Sequence, residues 1–330
     1  MTHRRRQPMT TRRFALAALV AALPWAPAAH AADAYPAKPI TFVVPFAAGS
    51  ATDSLARALG QSITAETRQP VIVDNKAGAS GMLAAQFVAR AAPDGYTVLI
   101  STNTTHAANE HLYRKIGYDP VKDFSPVTAL AKGYQVLVVN VNSPYKTVGE
   151  LLAAAKKAPG KLSFASGSAS SRVAGELFTQ MAGVEMLHVP YKSNPLAITD
   201  LLGGQVDMMI PDTATGVPQI KSAKLRALGV TSTKPLALLP GVPTIGEAGV
   251  KGYEMSYWFA AYLPANAPPA VVSKLHDLLV AGTASPAAKS FFESGGSEPF
   301  TTTPEGLAKF QTEESQKWGK VIKAAGIEPE

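Results

Sequence analysis

Residues 40–59 read ITFVVPFAAGSATDSLARAL. The run Ile40 to Val44 is too short for a helix and too continuously apolar for a half-exposed strand, so it reads as a strand buried on both faces of a parallel sheet. Pro45 cannot donate to a ladder and ends it. A loop of small residues around Gly49 follows, and Leu55, Ala56 and Leu59 then share one helical face. Ser50 and Asp53 stand at capping-box spacing: the hydroxyl takes an orphan helix N–H, and the carboxylate sits at the positive end of the helix dipole. The stretch is strand, loop, helix. Small residues let a ligand approach backbone N–H groups and a helix N-terminus favours anions, so the loop reads either as half of an anion site or as a turn that needs small residues only for packing. A phosphate loop is disfavoured, because no Gly-Lys-Ser/Thr follows.

Upstream, Arg4, Arg5, Arg6, Arg12 and Arg13 precede the apolar run Phe14 to Leu23, and Ala29-His30-Ala31 offers a small-x-small cleavage site. Spanning a bilayer takes roughly 20 apolar residues, so residues 1–31 read as a signal peptide cleaved near Ala31. Arg12-Arg13 also permits twin-arginine export. Cleavage removes five of the 31 basic residues and none of the 24 acidic ones, leaving a net charge of about +2 that gives no support for nucleic-acid binding. With no cysteine, disulfides, thiolate catalysis and Cys-ligated metals are excluded. Residues 32–330 are long enough for two domains.

Downstream the βα rhythm continues. A strand at Pro70 to Val73, a helix from Met82 to Ala91 and a strand at Thr97 to Ile100 follow, the last opening into the polar run Ser101-Thr102-Asn103-Thr104-Thr105. From Phe124 to Val141 the rhythm gives way to extended segments, which marks a crossing into a second lobe. Thr147 and Glu150 form another capping box, and a strand at Leu162 to Ala165 ends in Ser166-Gly167-Ser168-Ala169-Ser170-Ser171 ahead of a helix from Arg172 to Ala182. Strands at Leu187 to Val189, Val206 to Ile210 and Leu225 to Val230 repeat the architecture of the first half. The extended piece Met255 to Leu263 returns the chain to the first lobe, where helices at 270–281, 286–294 and 304–325 close it with no further strand expected. The fold class is α/β, with two lobes each made of a sheet flanked by helices: lobe 1 over 32–133 and 258–330, lobe 2 over 134–257. In open parallel sheets ligands bind beyond the carboxyl ends of the strands, so the small-residue loops should converge on an interlobe cleft that closes by hinging.

Tyr35-Pro36-Ala37-Lys38-Pro39-Ile40, Val44-Pro45-Phe46-Ala47-Ala48-Gly49, Asp53 and Ala56-Arg57 carry a likeness that continues in order through Val73-Asp74-Asn75-Lys76-Ala77-Gly78-Ala79, Pro93-Asp94-Gly95-Tyr96-Thr97 and Lys161-Leu162-Ser163-Phe164-Ala165-Ser166. It resumes at Val189-Pro190-Tyr191-Lys192, Asp200-Leu201-Leu202-Gly203-Gly204-Gln205-Val206-Asp207 and Pro243-Thr244-Ile245. This ordered set resembles the Bug or TctC-type solute receptors of tripartite tricarboxylate transporters. The resemblance implies a periplasmic, two-lobed binding protein of type II (Venus-flytrap) form. It also implies a monomer that is not an enzyme, takes a small carboxylate partly through ordered waters and hands it to membrane permease subunits. The loop after the first strand, Phe46 to Thr52, and the loop Ser166 to Ser171 are the implied carboxylate contacts. The chain departs from the family in having Gly49-Ser50 for Gly-Gly and Ser193 for a Gly after Tyr-Lys, which bears on ligand identity.

The expected ligand-binding residues are Phe46, Ala48, Gly49, Ser50, Thr52, Asn103, Thr104, Ser166, Gly167, Ser168, Tyr191 and Asp212. Phe46 reads equally as an apolar wall or as plain core, and Asn103 and Thr104 as contacts to the ligand's distal group or as a solvated turn. Asp212 reads as a helix cap, or as an acceptor for an ammonium group, and Tyr191 packs near the cleft. No cofactor is implied. His106, His111, His188 and His276 show no metal-ligand spacing. A sensor that presents its ligand to a signalling kinase would share the same cleft. An exported α/β hydrolase is disfavoured, because Gly78-Ala79-Ser80-Gly81 and Gly167-Ser168-Ala169 lack the Gly-x-Ser-x-Gly elbow.

Overall fold

A computed structural model describes residues 1–3 and 35–330, so from residue 4 onward the expected signal peptide lies outside the described residues. Strand β1 (Ile40–Val44) pairs in parallel with β2 (Val71–Asn75) and β3 (Thr97–Thr102), as its continuous apolar run requires. Helix α1 (Ala51–Thr67) leaves the first loop with Ser50 as its cap, the hydroxyl accepting the Asp53 N–H at 3.3 Å. Helix α2 (Met82–Ala89) returns to β3, after which the chain makes one turn of π-helix over Thr104–Ala108 and a short α3 (Asn109–Leu112).

β4 (Phe124–Tyr134) is longer than the sequence suggests, and a single residue, Gln135, separates it from β5 (Val136–Asn140). The second lobe then adds α4 (Val148–Lys157), β6 (Ser163–Ser166), α5 (Ala169–Ala182), β7 (Leu187–Pro190), α6 (Asn194–Leu202), β8 (Met208–Met209), α7 (Thr213–Lys221) and β9 (Leu225–Val230). β10 (Ser256–Pro264), α8 (Pro269–Thr283), α9 (Pro286–Gly295), β11 (Ser297–Pro299) and α10 (Pro304–Ala324) complete the chain. β11 is a strand that the sequence reading does not anticipate. Three residues ending in Pro carry little pattern, and pairing with the edge of β4 supplies the order.

The first sheet runs β11-β4-β10-β3-β1-β2 and the second β7-β6-β8-β5-β9. Five strands of the first match the five of the second, β11 being the extra edge strand: a parallel trio (β2, β1, β3 and β7, β6, β8) is followed by an antiparallel strand and then by its antiparallel partner. The antiparallel insert, β10 in one sheet and β5 in the other, is in each case the strand that arrives directly from the opposite lobe. The two crossings are knitted at Thr231. Its N–H donates to the Gln135 carbonyl at 3.0 Å, its hydroxyl accepts the Gln135 N–H at 2.8 Å and donates to the Met255 carbonyl at 2.7 Å.

One core fills the space between the first sheet and helices α1, α8 and α9, around Phe42, Leu55, Leu278 and Phe292, and another lies under α6 and α7 around Val138, Ile198 and Val217. A third runs continuously through both lobes, from Leu99 and Trp258 to Phe164 and Phe178. This two-lobed α/β arrangement is the periplasmic-binding-protein fold, and it points every parallel strand's carboxyl end at the space between the lobes.

Candidate functional site

The carboxyl ends of β1, β3, β6 and β8 border a narrow cleft lined by both lobes. Eight of the twelve expected residues line it: Phe46, Ser50, Thr52, Asn103, Thr104, Gly167, Ser168 and Asp212. Ala48, Gly49, Ser166 and Tyr191 do not. Ala48 and Gly49 are exposed beyond the cleft, and the Gly49 N–H is already engaged, donating to the Asp53 carboxylate at 2.9 Å. The Ser166 hydroxyl is paired with His188 Nε2 at 2.7 Å, and the Tyr191 hydroxyl donates to Asp200 at 2.6 Å. A strand ladder and a helix each turn these side chains toward their own lobe's packing instead.

The first loop is held by a buried carboxylate. Asp53 accepts from Gly49, from Arg57 Nε at 3.1 Å and from Asn75 Nδ2 at 3.0 Å, and Asn75 also donates to the Phe46 carbonyl at 2.9 Å. Burial pushes the Asp53 carboxyl up, but the hydrogen bonds from Arg57, Gly49 and Asn75 outweigh it and hold it below the usual carboxylate range. With Asp53 N–H bound to the Ser50 cap, the next amides back, Ala51 and Thr52, are the helix donors without an intrahelical carbonyl. Both residues line the cleft.

The second lobe repeats the device. α5 starts at Ala169, three residues earlier than the sequence reading places it, because the Ser168 hydroxyl caps the helix by accepting the Ser171 N–H at 3.2 Å. Ala169 and Ser170 therefore supply the orphan amides here. Gly167 owes its identity to close approach. A Cβ there would lie 2.0 Å from the Ser193 carbonyl carbon and 2.1 Å from the Asn194 nitrogen. Its N–H donates to Asn194 Oδ1 at 3.1 Å, and Asn194 Nδ2 donates to Asp212 Oδ2 at 2.7 Å.

Asn103 and Thr104, both fully buried, reach the cleft from β3. The Asn103 Nδ2 donor and the Thr104 hydroxyl are buried without a hydrogen-bond partner, which fits donors kept for a ligand. Phe46, Tyr257 and Phe259 form the apolar wall. Among the described residues no Lys, Arg or His lines the cleft, and Asp212 is its one carboxylate. Asp212 also caps α7, accepting the Thr215 N–H at 2.7 Å and the Thr215 hydroxyl at 2.6 Å. Desolvation by burial raises its pKa against the lowering effect of these bonds.

The sequence reading misses Thr102, Asn194, Tyr257 and Phe259, while Ala51 and Ser170 fall inside the two implied contact loops without being singled out. Ala51 and Ser170 follow from the cap positions alone, since the amides after an N-cap are the free ones. Tyr257 and Phe259 alternate along β10, the spacing that would have put both on one face. His106 carries a different role. It is fully buried behind the loop, its Nδ1 paired with the Ser101 hydroxyl at 2.7 Å and its ring stacked on Tyr262 at 3.9 Å. Burial lowers its pKa to about 3, so the ring is neutral.

Two helix N-termini, hydroxyls and an unpaired amide thus meet an aromatic wall in a cleft whose described lining has no cation and one carboxylate, Asp212. The chain resembles known proteins over nearly its whole described length. It is 34% identical to BugT of Bordetella pertussis over 298 residues, covering 89% of this chain and 91% of that one. Among solved structures, Rpa4515 of Rhodopseudomonas palustris with adipate matches with a TM-score of 0.87 at 35% identity, covering 90% of this chain and all (100%) of that one. MatC of the same organism, with bound malate, matches with a TM-score of 0.81 at 29% identity, covering 87% and 100%. The family model for TctC, the tripartite tricarboxylate transporter family receptor, matches residues 55–327, and the chain belongs to that family of solute receptors.

Proposed function

We propose that the protein is a periplasmic receptor that binds a small carboxylate between its lobes and delivers it to the membrane permease of a tripartite tricarboxylate transporter. The observation that carries this reading is the pairing of two helix N-termini, at Ala51-Thr52 and at Ser168 and Ser170, from opposite lobes on one cleft with no cationic side chain among its described lining. Anions bound by backbone amides and bridging waters need no buried arginine, and release is easier without one. The adipate and malate complexes of the related proteins support the ligand class. Residues 1–31 act as the export signal, and the lobes divide at the crossings near 133 and 258. The family is one of solute receptors, which supports reading the protein as a binder without turnover.

A thermal-shift panel of mono-, di- and tricarboxylates, acidic amino acids and neutral sugars tests this. A carboxylate at about 100 times its dissociation constant should stabilise the fold by about 2.7 kcal/mol. Response to a sugar alone would overturn the reading.

A further inference from the structure

Asp212 stands one side chain away from the amino end of α5. Asn194 bridges the two, taking the Gly167 N–H on Oδ1 at 3.1 Å and giving its Nδ2 hydrogen to Asp212 Oδ2 at 2.7 Å. Asp212 Oδ1 is occupied twice over by Thr215, through its N–H at 2.7 Å and its hydroxyl at 2.6 Å. Oδ2 receives only the Asn194 amide, and a carboxylate oxygen accepts two hydrogen bonds. Asp212 therefore keeps an acceptor position in the cleft beside the amino end of α5 at Ser168 and Ser170, where the proposed function seats a ligand carboxylate. Its partners are all neutral donors, and among the described residues no cation lines the cleft to balance it.

The consequence is electrostatic and local. A second anionic oxygen beside Asp212 would be repelled, and a bare methylene there would desolvate the carboxylate with nothing in return. A hydrogen-bond donor there is rewarded, the more so if it is cationic. Because Gly167 and the α5 cap lie one amide away, that donor belongs on the carbon adjacent to the carboxylate. Tyr257, the other titratable group that lines the cleft, stays a neutral phenol because burial raises its pKa, so it adds no charge near Asp212.

We infer that the receptor selects acids that carry a hydroxyl or ammonium group on the carbon next to the carboxylate, and that Asp212 is the acceptor that reads this group. The inference rests on the carboxylate-receptor reading and narrows it to 2-hydroxy and 2-amino acids over unsubstituted ones. A site built to pair a ligand donor rejects the analogue that lacks it, since its own buried group is then left unpaired.

Calorimetric titration of the purified protein with matched sets tests it: succinate, malate and aspartate, and propionate, lactate and alanine. In whichever set binds, the hydroxyl- or amino-bearing member should bind at least about tenfold tighter than the plain acid. Asp212→Asn keeps the oxygen that caps α7 but sets an amide donor against Asn194 Nδ2, so the melting temperature should fall modestly while that ratio falls to about threefold or less, the ammonium member losing most. A larger loss for the amino acid than for the hydroxy acid would identify an ammonium as the natural partner, and equal losses a neutral hydroxyl. Equal affinities within a set overturn the inference and leave the receptor reading standing, as does a preference that survives Asp212→Asn. Failure of every acid to bind overturns both.

Discussion

Asp53 holds the first cleft loop by accepting from Gly49, Arg57 and Asn75, and His106 holds the β3 loop from behind. The two respond to acid in ways that can be separated. His106 is neutral in the folded protein, its pKa lowered by burial to about 3, while in the unfolded chain it lies near 6.5. Below 6.5 the unfolded chain takes the proton first, so the stability present above that pH is lost progressively as pH falls toward 3. The groups around it, Ser101, Thr105, Phe124 and Tyr262, offer no counter-charge. Urea denaturation should show a loss of about 2 kcal/mol from this residue between pH 7.5 and pH 5. His188, lowered by burial to about 4, adds in the same direction. His106→Phe should flatten the slope, at some cost in stability at pH 7.5. An unchanged slope in that variant would contradict a buried, neutral His106.

Strand, loop and helix units place the cleft, and they were legible because their signals are local. The run Ile40 to Val44, the caps at Ser50 and Thr147 and the polar ends of β3 and β6 each follow from neighbours in sequence. What was not legible depends on loops that meet only in the folded chain. Nothing local marks Asn194 as the strut between Gly167 and Asp212, or shows that the Gly49 N–H is claimed by Asp53. The two glycines accordingly diverge. At Gly167 an added Cβ meets the Ser193–Asn194 backbone, so Gly167→Ala should cost about 1–3 kcal/mol and weaken ligand binding strongly. At Gly49 a Cβ meets nothing within 4 Å, and only the positive φ of 79° resists, so Gly49→Ala should cost about 1–2 kcal/mol and leave affinity nearly unchanged. Melting curves and calorimetry on both variants check this. Loss of binding in Gly49→Ala alone would contradict the assignment of donors to Ala51 and Thr52.

Across the whole molecule, the lobes touch on both sides of the crossings. α7 packs on α9, and α5 packs on α10, where Arg172 pairs with Glu330 at 2.6 Å. The C-terminal residue is held within its own lobe as well, its N–H donating to the Leu112 carbonyl at 3.0 Å. These contacts bring the amino ends of α1 and α5 onto one cleft, which neither lobe could form alone. Hinging about Gln135 and Thr231 would part the two halves of the anion cradle, coupling ligand capture to lobe closure. The second sheet's repetition of the first makes this geometry a property of the fold, while on the proposed reading Asp212 and the aromatic wall of Phe46, Tyr257 and Phe259 would set what fits. The most direct test of this account is a crystal structure with the tightest-binding acid from the panel. It should show the carboxylate within hydrogen-bond reach, direct or through one water, of the amides of both Ala51-Thr52 and Ala169-Ser170. A carboxylate held by one lobe alone, or seated outside this cleft, would contradict it.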